Sequence, residues 1–175
     1  MKRFLIVCFA LGTVASVLAG TRKIPPAEPF ATIEFPDKWQ IKEHPEAIEA
    51  GPPDGSVSFI IASVEHNKVA EAIGETMQYL RNRDQIVVKG ESRHDTEGAV
   101  NAMPAHFVSW QGKNKNGDVE LKFAVIRLGN NQSLVAAYDG SPSSNKKHQD
   151  DLDKILQSIT KIQSPEGEAS KAEKD

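Results

Sequence analysis

Five histidines, His44, His66, His94, His106 and His148, are the side chains of this sequence best suited to holding a metal ion or moving a proton near neutral pH. None of them forms His-x-x-x-His or His-Glu-x-x-His. His94 and His106 flank a turn-forming stretch at 98–104, with Glu91, Asp95 and Glu97 close by in sequence. Pairing of the strands on either side would bring the two rings near each other, and two imidazoles with a carboxylate suit a divalent ion. The competing reading leaves them as isolated histidines at strand surfaces or ends. His44, before Pro45, and His66, ahead of a helix, read as turn residues, and His148 reads as lying on the exposed side of a helix.

Other chemistries lack their residues. There is no Gly-x-Ser-x-Gly elbow for a nucleophilic serine. The glycines match neither dinucleotide nor P-loop spacing. The single cysteine, Cys8, stands inside an apolar run, away from any lipobox position. Acidic pairs such as Glu91 and Asp95 are expected by chance among 24 carboxylates. No catalytic residue, cofactor or metal is therefore assigned, and the protein is read as non-enzymatic. Trp39 reads as a core residue just after a turn. Trp110 alternates with His106 and Val108 on one strand face near a sheet edge, so it is the candidate binding residue, with core packing as the competing reading. Aromatics of this kind anchor interaction surfaces.

The N-terminus reads as an export signal. Lys2 and Arg3 precede an apolar run from Phe4, and Val17 and Ala19 occupy the −3 and −1 positions before Gly20. The apolar segment is 16 residues long, short of the roughly 20 that span a bilayer as a helix. A retained anchor is the rival reading. Cleavage between Ala19 and Gly20 would leave a chain without thiol or disulfide, periplasmic or secreted, monomeric and without a membrane anchor. The net charge of −3, with Lys113, Lys115, Lys122, Arg81 and Arg83 scattered in mixed surroundings, argues against nucleic acid.

The elements that would position these residues follow from periodicity. Residues 20–29 read as a Pro-rich linker. Strands are predicted at 31–35 and 39–43, with a short one at 48–50. The segment 56–64 is apolar on both alternating faces, as expected of a strand covered on both sides. A helix is predicted over 68–83, capped by Asn67, with Val69, Ile73, Met77 and Leu80 on one stripe. Strands at 85–96, 105–111, 118–128 and 132–138 follow, with Asn116-Gly117 and 129–131 as hairpin turns. A closing helix is predicted over 145–159, and 163–175 reads as a disordered charged tail.

At this point the residues resemble a known family. The opening ATIEFPDKWQI is similar to the F-x-I-x-F-P-x-x-W-x-V start of PsbP-like proteins, AVNAMPA at 99–105 to their ING-x-PA turn, and KILQSI at 154–159 to their closing K-I-L-x-S-F. Ala102 replaces the expected turn glycine, and Ile159 stands where an aromatic is usual. The resemblance covers residues 30–162. The PsbP-like fold is shared by the PsbP subunit of photosystem II, a Ran-GTPase-binding protein and bacterial envelope proteins such as DcrB. It implies an α+β domain: an α/β/α sandwich around one antiparallel sheet of about six to seven strands, with a helix on each face. It also implies an accessory or binding role, here with an envelope protein partner. Two alternatives stay open: a metal-binding protein or enzyme using His94 and His106, and a carrier of a small apolar ligand between helix and sheet.

Overall fold

The computed structural model describes residues 20–162, so the expected export signal and the expected charged tail lie outside the described residues. Eleven strands and three α-helices occur among them, with two short 3-10 turns at His66–Lys68 and Gly90–Ser92. In chain order they are β1 (Thr21–Ile24), β2 (Ala31–Glu34), β3 (Gln40–Glu43), β4 (Ala47–Gly51), β5 (Val57–Glu65), α1 (Val69–Asp84), β6 (Val87–Val88), β7 (His94–Val100), β8 (Met103–Asn114), β9 (Gly117–Gly129), β10 (Gln132–Gly140), α2 (Pro142–Lys147), α3 (Gln149–Ser158) and β11 (Thr160–Lys161).

The large sheet is antiparallel and runs β3-β4-β5-β10-β9-β8-β6, with β7 also paired to β8 along that edge. β5 lies inside it, between β4 and β10. That position explains its composition. Val57, Phe59 and Ile61 are buried in one core cluster, while Ile60 and Val64 pack against the other. β9 splits in the same way, Phe123 into one cluster and Ala124 into the other, because successive side chains point to opposite faces. Leu80 of α1 joins Val119, Leu121, Phe123 and Val135. Leu152 and Ile155 of α3 join Phe59, Ile61, Ile126 and Leu134.

A second, three-stranded sheet, β1-β2-β11, corrects the expectation of a single sheet. Residues 21–24, read as linker, pair with β2, and Ile24 is fully buried beside Ile33. One apolar side chain in a short polar stretch suffices to anchor it when a neighbouring edge is free to pair. The closing helix is also two pieces. α2 starts at Pro142 under a Ser141 cap, the chain turns at His148, and α3 continues. His148 is buried rather than exposed, its ring edge-on to Trp39 at 6.3 Å and its Nε2 3.3 Å from Ser56 Oγ. Trp39 is a core residue, as its pattern predicts.

The turn expected at 98–104 is tighter than the sequence suggests. Val100 pairs with Met103, leaving only Asn101 and Ala102 between β7 and β8, both at positive φ. Likewise Asn114 pairs with Gly117, so Lys115-Asn116 form the β8–β9 turn. No helix among the described residues is long and apolar enough to cross a membrane.

Candidate functional site

The β7–β8 register decides the histidine question. His94 lies opposite Ser109, and His106 lies opposite Glu97. Ser109 and His106 are three residues apart on one strand, so the two rings sit on opposite faces. They cannot reach one ion at the roughly 2.1 Å that coordination needs, and the His94–His106 metal centre is withdrawn. No group of three or more His, Cys, Asp or Glu suited to a metal occurs among the described residues.

His106 instead sits between two carboxylates, its Nδ1 2.8 Å from Glu97 Oε1 and its Nε2 3.0 Å from Asp95 Oδ1. Both ring nitrogens can donate only in the imidazolium form. The Glu97 hydrogen bond, the largest influence, raises the His106 pKa with help from Asp95, against the opposing effect of desolvation. Arg93 closes the chain with two bonds to Asp95, and it holds that carboxyl down to about 2.

Trp110 lies on the same face as His106. Its ring meets Phe123 edge-on at 5.8 Å, and the Arg93 guanidinium covers it at 5.6 Å from the centroid. It is half-buried, part of the cluster that includes Leu80 and Phe123. Among the described residues the large hydrophobic residue that stands well exposed to solvent is Val87.

On the opposite face the sheet carries a cleft of about 240 Å³. Its floor is Ala124 on β9 and Ala136 on β10, directly opposite each other. Phe59, Phe107 and Tyr138 line its sides, His94, Thr96 and Ser109 its β7–β8 margin, and Leu156 and Asp153 of α3 its helix side. Tyr138 is the cross-strand partner of Lys122, whose ammonium stands 5.4 Å from the Tyr138 ring centroid and 3.5 Å from Glu120. Burial raises the Tyr138 phenol above its ordinary value despite Lys122. For Lys122 burial works against the charge, and Tyr138 and Glu120 more than offset it. Of the residues lining this cleft, sequence reasoning singled out only His94 as a candidate ligand. The signal it passed over was a pair of alanines in two otherwise bulky core strands.

A second, polar cleft of about 360 Å³ opens at the C-terminal end of β10, lined by Ser58, Arg83, Asp84, Asp118, Asp139 and Ser141 among others. Arg83, in the last turn of α1, bonds Glu49 and Asp84 and approaches Asp139 at 3.4 Å, and its guanidinium lies 5.2 Å over the Tyr79 ring. Burial pushes the Asp139 carboxyl up to about 7, Arg83 pulling it down and Asp84 and Glu49 adding to the rise. The arrangement ties α1 to β4 and β10.

With this geometry in hand, the fold is identifiable as PsbP-like. Cyanobacterial PsbP from Synechocystis sp. PCC 6803 superposes over 90% of this chain and 99% of its own, with a TM-score of 0.56 and 7% identity. LpqN, a protein involved in cell envelope biogenesis of Mycobacterium tuberculosis, matches over 81% of this chain and 90% of its own at a TM-score of 0.51 and 13% identity. A protein from Bacteroides thetaiotaomicron VPI-5482 matches over 77% of this chain at a TM-score of 0.54 and 8% identity, and this chain spans 46% of its length. No protein-family model and no curated protein matches the sequence. At such identities the likeness is one of fold.

Proposed function

We propose that this protein is an exported, non-enzymatic binding or accessory module of the cell envelope, periplasmic or secreted, that works as a monomer. We also read its layering as an α/β/α sandwich, with α1 over one face of the large sheet and α3 over the other. Leu80 in one core cluster and Leu152 and Ile155 in the other support that layering.

The observation that carries the binding role is the cleft floored by Ala124 and Ala136. It is a hollow of about 240 Å³ in the sheet, lined mainly by apolar side chains with a few polar groups at its margin, the make-up of a small-molecule site. The fold shared with PsbP and with an envelope-biogenesis protein supports the accessory role and the compartment. The test is a native mass spectrum of the chain from Gly20 onward, isolated gently from its own envelope fraction. A stoichiometric protein companion or a bound small molecule supports the reading. A bare monomer that also captures nothing when returned to that fraction overturns it.

A second reading, a carrier of a small apolar ligand between helix and sheet, is favoured by the same cleft. In that case the mass increment is a small molecule, and it disappears when the cleft is filled. Trp110 remains the candidate contact for a protein partner. Its half-exposed ring, held beneath Arg93, offers an aromatic anchor, and loss of the companion in Trp110→Ala with the melting transition preserved would assign it.

A further inference from the structure

We infer that the cleft over Ala124 and Ala136 is a binding site for a small, uncharged, two-ring aromatic molecule carrying one hydroxyl or carbonyl oxygen. The inference rests on the reading of the protein as a binding module and names the ligand class of its cleft.

The hollow has a clear origin in the sheet. Along this face of the β9–β10 ladder, Leu134 opposes Ile126, then Ala136 opposes Ala124, then Tyr138 opposes Lys122. The step from a large pair to a small pair sinks the floor in mid-sheet. Leu156 of α3 lines the space from above. A dry cavity of about 150 Å³ holds one benzene ring, so 240 Å³ has room for a fused pair. Phe107 and Tyr138, both partly exposed, supply ring faces and edges for offset or edge-on contact, with the fully buried Phe59 backing them.

Charge decides the rest. The ionic groups at the cleft are Lys122, Glu120 beside it, and Asp153 on α3, with the His94 imidazole at the opposite margin. Glu120 already faces the Lys122 ammonium at 3.5 Å, and Asp153 brings a second carboxylate to the α3 side of the cleft. A ligand carboxylate would add a third negative charge to a largely apolar space, and a ligand cation would be desolvated beside Lys122. A neutral oxygen needs only one donor, and the ammonium has three hydrogens to share among Glu120, Tyr138 and a ligand.

The probe is 2-naphthol, titrated into the chain from Gly20 onward by calorimetry and amide NMR, with 2-naphthoate as the charged comparison. Saturable one-to-one binding of 2-naphthol is expected, with 2-naphthoate weaker by about tenfold or more. Amide shifts should concentrate at Ala124, Ala136 and Leu156. Ala136→Leu fills the floor and should weaken 2-naphthol by about tenfold or more while the melting midpoint holds or rises. If that variant does not fold, Leu156→Trp plugs the cleft from the helix side and should give the same loss. No saturable binding, equal affinity for the carboxylate, or undiminished binding in a folded filled variant each overturns the inference. The two readings fail separately. A protein companion in the native spectrum with no naphthol binding overturns the cleft assignment alone, whereas saturable naphthol binding upholds the cleft even if the isolated protein carries no companion.

Discussion

The guanidinium of Arg83 and the carboxylate of Asp139 meet at 3.4 Å where the last turn of α1 crosses β10. Neither group is balanced by the other alone. Arg83 also serves Glu49 and Asp84, so three carboxylates share one guanidinium. Asp139 is the most buried of the three, and it carries the cost as a carboxyl raised to about 7.

That shift has a defined consequence for stability. Unfolded, Asp139 would titrate near 3.9. Between about pH 4 and pH 7 the folded chain then holds a proton that the unfolded chain has lost, so this group makes stability fall as pH rises through that window and flatten above it. Asp139→Asn removes the titration and leaves Arg83 bonded to Glu49 and Asp84. Urea midpoints at pH 5 and pH 8 should differ less in the variant than in the parent. Equal pH dependence in the two proteins would remove Asp139 from this role.

His106 shifts in the same direction, but here because the charged form is favoured rather than because burial disfavours charge. Its raised pKa comes first from Glu97, so protonation favours the folded edge hairpin below the ordinary histidine value. That contribution is lost as pH rises through the raised folded value. At an exposed edge the energy is small, and NMR is the better readout. The His106 ring should titrate above the ordinary 6.5, and Glu97→Gln should lower its midpoint towards that value. A midpoint unmoved by Glu97→Gln would mean the observed hydrogen bond does not persist in solution.

Ala102 holds φ at 65° in the two-residue turn between β7 and β8. An L-residue there costs roughly 1–2 kcal/mol, while a glycine gives back about 0.4–1 kcal/mol through the greater entropy of the unfolded chain. Ala102→Gly is therefore expected to stabilise by about 0.5–1 kcal/mol, raising the melting midpoint by roughly 1–4 °C. A lowered midpoint would show that the alanine methyl makes contacts that outweigh its strain.

Gly112 is fixed by close approach rather than by turn geometry. A Cβ at this position would stand 2.7 Å from the Val87 carbonyl oxygen, where β6 pairs with β8. Gly112→Ala should detach or displace β6, at about 1–3 kcal/mol. Hydrogen exchange at Val88 and Lys89 would report it, and unchanged protection at both would sink the assignment.

Much of the scaffold was legible in the sequence because its period is strong. The two-faced apolar run in β5, the four-four-three stripe of α1 and the Asn-rich turn after β9 each fix a local structure that tertiary packing merely accepts. The strand at 21–24 was not legible. A four-residue segment with a single buried isoleucine has no period to read, and its pairing depends on an edge formed later in the chain. The break at His148 was hidden for a similar reason. Burial of its ring against Trp39 involves a residue over a hundred positions away.

The candidate site divides along the same line. By itself the sequence determined the α+β class, the alternation that puts Trp110 and His106 on one strand face, and the lack of residues for nucleophilic or phosphate chemistry. Tertiary structure alone decided that His94 and His106 face apart, because one residue of register moves a side chain through the sheet. It alone set Ala124 against Ala136. Strand spacing along the chain says what each side chain is, but which two meet across a ladder is fixed only when the strands pair. A cleft made by two small side chains meeting exists at no earlier level than that.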